Sequence, residues 1–531
     1  MLKLNTTITK LNLKDNNIQS EGVKHIAKLL QRNSTIKELI LSRNCIGTAG
    51  AQYISEALKI NSTLTFLKLA LNQLRSSDLC FLSNSIKINT TLLSLDISEN
   101  RLRSTDPYPI ANLFLNSSLT FLSLYGNDFG GPIENEIFTS LSKNLRIKYL
   151  NLGANNISNE DMPFLSKALQ HNTSLLELNL CENSMSNHGL VFIGELLLTN
   201  STLTALNLHR NPNLGMQEEQ LTIFGKHLEN NSTLKKLILT DCSIGAALID
   251  SLQKNHGITY LDTSESLFTI ENIAHILTSN STLTHLIAKC SWPSLKEICY
   301  LTLSTALKVN STITHLDLES SLGMSTDEGT RYISEGVAVN SSITYLNLSR
   351  NKIKNAQYIS LMIEGNSTLK ELDLSCNDID YDGFSLITNA MHTNSTLTSL
   401  NLLNNSIEED DETSLKVIKL LENNNTLQNF LLDESQSDED CVLETQALIN
   451  VTMISNKRVT SWPLLHLTFP EHYQEQLEEV LLVFRLFTIS QDLSIYATRV
   501  IISVIEHEFL EDIKNEFYTD TSSSDEEEHL T

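Results

Sequence analysis

The stretch Asn61-Ser62-Thr63-Leu64-Thr65-Phe66-Leu67-Lys68-Leu69-Ala70-Leu71-Asn72 decides how this chain is read. From Leu64 to Leu69 apolar and polar residues alternate, the period-two mark of a short strand. The phrase returns, whole or in near copies, at Asn33, Asn200 and Asn394, and weaker copies fill the gaps. Sixteen starts fall at residues 5, 33, 61, 89, 116, 144, 172, 200, 231, 255, 280, 310, 340, 366, 394 and 424, a mean period of about 28. A second texture alternates with the first. Gly50-Ala51-Gln52-Tyr53-Ile54-Ser55-Glu56-Ala57-Leu58 spaces its apolar residues by three and four, as a helix does.

A strand and a helix within each unit, carrying Leu-x-x-Leu-x-Leu-x-x-Asn, resembles the ribonuclease-inhibitor type of leucine-rich repeat over residues 5–432. One such pair cannot bury its leucine face alone, whereas stacked neighbours build a continuous core. The expected fold is therefore an α/β leucine-rich-repeat solenoid with an inner parallel sheet and outer helices. Because a helix is wider than the strand spacing of about 4.8 Å, the stack is expected to curve into a horseshoe. Ribonuclease inhibition itself is not expected, since that inhibitor is far richer in cysteine and its repeats alternate regularly in length.

The Asn twelve residues into each unit reads as structural: its amide can bond the backbone where the chain leaves the strand. The ladder runs through Asn16, Asn44, Asn72, Asn100, Asn127, Asn155, Asn183 and Asn211, becomes Cys242, Ser266, Ser291 and Ser321, and returns as Asn351, Asn377 and Asn405. The repeats across that gap are irregular, at 24, 25, 30 and 30 residues from Asn231 to Asn340. Drift in a tolerant solenoid and a loop-shaped binding surface are the two readings of this. The many Asn-x-Ser/Thr tripeptides sit at one phase of the repeat, between helix end and next strand. They read as helix-ending Asn in the left-handed region with local Ser/Thr bonds, not as glycosylation sites.

In such repeats the residue just before the second strand leucine points into the concave face, where family members usually bind partners. That position is held in turn by Lys10, Glu38, Phe66, Ser94, Phe121, Tyr149, Glu177, Ala205, Lys236, Tyr260, His285, His315, Tyr345, Glu371, Ser399 and Asn429. Aromatic and histidine residues bunch twice. One group is Phe66, Phe121 and Tyr149, with Tyr125 on the same strand as Phe121; the other is Tyr260, His285, His315 and Tyr345. Exposed aromatic clusters are what protein-binding hot spots are made of, and packing along the ladder is the plainer alternative. The second group overlaps the irregular repeats and is favoured, with Asp262, Asp317 and Glu319 expected beside it. No metal site is expected there, because the His and carboxylate spacing is loose.

Composition narrows the rest. A net charge of −25 speaks against nucleic acid as a partner, and no run of about 18 apolar residues offers a membrane span. The eight cysteines contain no C-x-x-C pair and fit a reducing compartment, and the first residues lack a secretory signal's apolar core, so a cytoplasmic location is expected. Three parts are expected: the solenoid at 1–432, a helical C-terminal cap at 433–515 and an acidic tail at 516–531. Two amphipathic helices carry the cap, and the last 26 residues hold ten acids against one lysine. That tail resembles the Glu-rich translocation signal of type IV-secreted effectors from intracellular bacteria, which implies delivery into a host cytosol. It also resembles the acidic segment that follows similar repeats in the Ran GTPase-activating protein.

Nothing points to catalysis or a cofactor. There is no G-x-x-x-x-G-K-[ST] and no G-x-S-x-G, and His507-Glu508 is followed by Glu511 where a zincin needs its second histidine. The expected function is a non-catalytic scaffold that holds a protein, with a GTPase activator of the Ran type as the alternative.

Overall fold

The computed structural model describes residues 5–102, 108–116, 118–129, 135–215, 218–243, 248–289, 297–322, 326–407 and 411–432. The chain divides into two compact units, residues 1–351 and 352–531. The expected cap at 433–515, the tail at 516–531 and Ser291 of the ladder lie outside the described residues.

The first unit holds thirteen three-residue strands among its described residues: β1 (Lys10–Asn12), β2 (Glu38–Ile40), β3 (Phe66–Lys68), β4 (Ser94–Asp96), β5 (Phe121–Ser123), β6 (Tyr149–Asn151), β7 (Glu177–Asn179), β8 (Ala205–Asn207), β9 (Lys236–Ile238), β10 (Tyr260–Asp262), β11 (His285–Ile287), β12 (His315–Asp317) and β13 (Tyr345–Asn347). Within this unit each pairs in parallel with its sequence neighbours, in register from repeat to repeat. The second unit carries β14 (Glu371–Asp373), β15 (Ser399–Asn401) and β16 (Asn429–Leu431), also parallel and in register. Helices follow the strands, and this alternation is the leucine-rich-repeat solenoid.

The middle residue of each strand explains the core. Leu39, Leu67, Leu95, Leu122, Leu286, Leu316 and Leu346 are fully buried, as are Leu41, Leu69 and Leu124 two residues on. Helices supply the facing wall through one stripe each; Gly47–Leu58 buries Ala51, Ile54, Ala57 and Leu58. A strand of three residues has too little surface to be stable alone, so its energy comes from leucines shared with both neighbours.

Three hydrogen-bond ladders hold the edges. In the first, Asn44 Nδ2 donates to the carbonyls of Leu13, Leu41 and Ser42, while its Oδ1 accepts from the backbone of Asn16 and Ile18. Asn72, Asn100, Asn127, Asn183 and Asn211 reach back to the preceding repeat in the same way, as does Asn351 through Leu318 O. In the second unit Asn377 accepts from Ile353 N, and Asn405 donates to Leu374 O. At Cys242 the thiol takes over, donating to Leu208 O at 3.2 Å. Burial, ahead of the nearby Asp241, pushes that thiol up to about 12, so it serves as a donor and not as a nucleophile. Ser321 reaches Ala288 O at 2.9 Å, whereas Ser266 bonds Thr263 O within its own repeat.

The second ladder belongs to the Asn that opens each repeat, and it corrects the sequence reading. Asn89, Asn200, Asn255, Asn280 and Asn366 cap their helices in extended conformation, with φ between −93° and −69°, and not in the left-handed region. The reason is a double task. Asn89 Oδ1 accepts from the backbone of Thr91 and Leu92, and its Nδ2 donates to Leu58 O and Asn61 O of earlier repeats. Such an amide is buried and engaged, which leaves no room for a glycan. A third ladder runs through the threonines before β11, β12 and β13, where Thr284 Oγ1 donates to Thr259 O, Thr314 Oγ1 to Thr284 O and Thr344 Oγ1 to Thr314 O.

Left-handed backbone does occur, one residue before the first ladder: Asp15, Arg43, Leu71, Glu99, Ala154, Glu182 and Arg210 have φ between 51° and 62°. Each costs on the order of 1 kcal/mol. Their amides nevertheless continue the sheet, as Arg43 N bonds Ala70 O and Leu71 N bonds Ser98 O. The turn they make aims the following Asn inward.

The irregular repeats leave the strands alone. Register passes unbroken from Lys236 to Tyr260, His285, His315 and Tyr345. Length is taken up on the helical side, where the short repeat carries a helix of six residues, Ile249–Lys254, and the long ones carry Glu297–Val309 and Thr326–Ala338. The strand face at these repeats is therefore not shaped by kinks in the sheet.

Candidate functional site

Side chains alternate across a strand, so the first and third residues of each strand share the face opposite the leucines. In-register pairing turns these into two continuous rows. In the first row Tyr260, His285, His315 and Tyr345 stand on four consecutive strands and form one stack. Their ring centroids are 5.9, 4.0 and 5.6 Å apart, with interplanar angles of 28°, 17° and 18°. Lys236, one strand earlier, sets its ammonium 4.6 Å from the Tyr260 centroid. All four rings are half-buried.

The threonine ladder bears on which nitrogen of each imidazole holds the proton. Thr284 Oγ1 spends its one proton on Thr259 O, so against His285 Nδ1 at 2.9 Å it can only accept. Thr314 Oγ1 is likewise committed to Thr284 O and lies 2.9 Å from His315 Nδ1. The network thus assigns the neutral proton to Nδ1 in both rings. Each Nε2 is left as an acceptor, with no hydrogen bond among the described residues. Burial, then the neighbouring His315, lowers the pKa of His285 below the usual histidine value.

The second row and the residues beyond it carry the charge. Lys289 lies 2.5 Å from Glu319 and 3.6 Å from Asp317, and Arg350 closes on Glu319 at 3.2 Å. Burial, partly offset by the Glu319 backbone amide and Lys289, raises the Asp317 carboxyl above the usual value. Asp262 uses Oδ1 to accept from Ser264 N and Oγ. Tyr260 is raised by burial and by the fields of Asp262 and Asp317. Asp262, Asp317 and Glu319 thus lie beside the stack, but Lys289 and Arg350 neutralise much of what they carry. Those two cations were missed in the sequence, because they hold different positions, Lys289 two residues past β11 and Arg350 three past β13, and both positions vary from repeat to repeat.

The other aromatic group is not one cluster. Phe121 and Tyr149 are neighbours, 37% and 38% exposed, with centroids 6.4 Å apart and planes tilted by 37°. Phe66 is separated from Phe121 by Ser94 on β4. Tyr125 is not on the same strand as Phe121: β5 ends at Ser123, and Tyr125 stands in the turn that follows. Its hydroxyl donates to Glu182 Oε1 at 3.0 Å, and burial with that bond pushes it up to about 12. Past Tyr149 the face opens into a depression of about 250 Å³, lined by Glu177, Asn179, Ala205, Asn207 and Lys236 among others. Asn151, Asn179 and Asn207 each turn Oδ1 to accept a hydrogen bond from the backbone N–H two residues on.

Comparison with known proteins agrees with this architecture. A family model described as "Leucine Rich repeat" matches residues 4–27, 32–55, 339–356 and 365–387. No curated protein matches the chain. Among solved structures the chain is similar to TLR13 in the TLR13–ssRNA13 complex, at 19% identity and a TM-score of 0.51 over 78% of this chain. This chain spans only 56% of that neighbour's length, and the likeness is one of fold. It is also similar to an internalin, inlF, from Listeria monocytogenes, at 16% identity and a TM-score of 0.33, over 78% of this chain and 94% of that one. The repeat and its ladders make the fold a leucine-rich-repeat solenoid, and the family model matches four segments of it. Among the described residues no helix is long and apolar enough to cross a membrane, and no group of three metal-ligating side chains converges.

Proposed function

We propose that this chain is a non-catalytic scaffold that holds a protein partner on the strand face of its first unit, the concave side of repeats of this type. The observation that carries the reading is the four-ring stack from Tyr260 to Tyr345, standing half-exposed on four consecutive strands. Large rings on a rigid backbone give contact area at low conformational cost, which is why aromatic residues dominate binding hot spots. Phe121 and Tyr149 form a smaller second contact beside the Glu177–Lys236 depression, with Phe66 farther along the row. The acidic end of the sequence and the near-identical repeat phrases support an effector delivered into a host cytosol by a type IV system.

Co-purification from a eukaryotic cytosol tests the reading. The Tyr260→Ala/Tyr345→Ala double variant is expected to lose the proteins that the wild-type chain retains. Unchanged capture overturns the hot-spot assignment. Removing residues 522–531 and following translocation tests the effector reading separately, and intact delivery counts against it.

A further inference from the structure

The two histidines at the centre of the stack are an unusual choice for a purely hydrophobic platform. A phenylalanine would supply the same flat surface without a titratable nitrogen. Here the rings lie 4.0 Å apart, each with Nδ1 engaged by a threonine and Nε2 open. Protonating one Nε2 places a cation between a neutral ring and a tyrosine face, and a second proton would place like charges at stacking distance.

The charged and titratable groups around the pair are Lys236 before it on β9, Tyr260 and Asp262 on β10, and Lys289 past β11. Asp317 and Glu319 come from β12 and beyond, and Tyr345 and Arg350 from β13 and the turn after it. Glu265 stands exposed in the turn after β10, so the set comprises three cations and four carboxylates. Lys289 contacts Asp317 and Glu319, Arg350 contacts Glu319, Lys236 rests on Tyr260, and Asp262 lies in the field of Lys289. With neutral imidazoles the strip thus offers rings flanked by charges that compensate one another to within one unit. An acidic or basic partner gains little from such a surface, whereas an uncharged aromatic or aliphatic one loses nothing by covering it.

We propose, resting on the binding role above, that the Tyr260–His285–His315–Tyr345 stack takes an uncharged, aromatic-rich segment of a protein partner and that protonation of the histidine pair releases it. The sign follows from linkage. A partner that covers the rings removes water from both imidazoles, which favours their neutral form, so binding excludes protons and weakens on acidification. Burial already acts on His285 in this direction in the free chain.

The test uses the full chain, immobilised at pH 7.5 and panned with a phage-displayed library of random peptides. Peptides retained by wild type and lost on Tyr260→Ala/Tyr345→Ala are synthesised and titrated by fluorescence anisotropy at pH 7.5 and 5.5. They are expected to be uncharged and aromatic-rich, and to bind roughly three- to tenfold more weakly at pH 5.5, the range for a histidine titrating at or somewhat below its usual value. A His285→Phe/His315→Phe variant, which keeps the rings but not the protons, is expected to bind equally at both pH values. Failure to obtain any tyrosine-dependent peptide overturns the docking role itself. Tyrosine-dependent peptides that bind equally at both pH values in wild type, or that keep their pH response in the phenylalanine variant, overturn the switch while leaving the docking role in place. Tyrosine-dependent peptides that carry net charge overturn the assignment of the partner.

Discussion

The strand face of the first unit carries aromatic residues in two regions built on the same backbone, and they behave differently. From β10 to β13 four rings occupy consecutive strands and stack within 6 Å of one another. From β3 to β6 three rings occupy the same row, but Ser94 interrupts them and only Phe121 and Tyr149 meet, tilted and farther apart. Strand spacing is common to both, so continuity of ring-bearing side chains decides whether a row becomes a platform. The hydrogen bonding beneath differs as well. Under β6 and β7 the Asn ladder is complete, whereas after β10 Ser266 bonds only within its own repeat.

The largest effect is expected where that ladder is complete. Asn183 donates to Leu152 O, Leu180 O and Cys181 O and accepts from Asn155 N and Ile157 N. Asn183→Ala strands these buried groups and is expected to cost about 2–4 kcal/mol in urea unfolding, while Ser266→Ala costs less than about 1 kcal/mol. Equal losses at the two sites would show that the gap is no gap. Next in size is an attempt to convert one region into the other. Ser94→Tyr should join Phe66 to Phe121 and raise stability by about 0.5–1 kcal/mol, read as a higher urea midpoint; a lower midpoint would mean that the row cannot accept a ring there.

The smallest effect is one of pH. His285 has a folded pKa below its unfolded one, so the unfolded chain binds more protons as the pH falls past the usual histidine value. Stability is therefore lost on acidification from neutrality, and His285→Gln is expected to flatten the urea midpoint between pH 7 and 5.5. A slope that does not change would remove the pair's electrostatic distinction from the other group. Asp317, raised by burial, acts in a lower window: it opposes folding as the pH rises past the usual carboxylate value. The two contributions can be read apart.

Much of this was legible in the sequence. The strand leucines, the first ladder position and the order Tyr260, His285, His315, Tyr345 follow from a repeat whose period is self-consistent, because in-register stacking brings equivalent positions together. The left-handed residues were not legible. Asp15, Arg43, Leu71, Glu99 and Ala154 share no side-chain chemistry that favours positive φ, and their conformation is imposed by the sheet bonds on either side. Nor did the repeat-opening Asn announce that its amide reaches back to an earlier repeat, since only a neighbour supplies Leu58 O to Asn89.

Periodicity by itself thus determined that this chain is a leucine-rich-repeat solenoid, where its core lies and which residues share a row, because those properties depend only on equivalence between units. Tertiary structure decided what the rows do. Whether two rings stack or tilt, which threonine holds an imidazole proton, and which lysine neutralises Asp317 and Glu319 all depend on distances of a few ångströms between side chains about 30 residues apart. Those distances are set by packing against both neighbours at once, and no single repeat contains them.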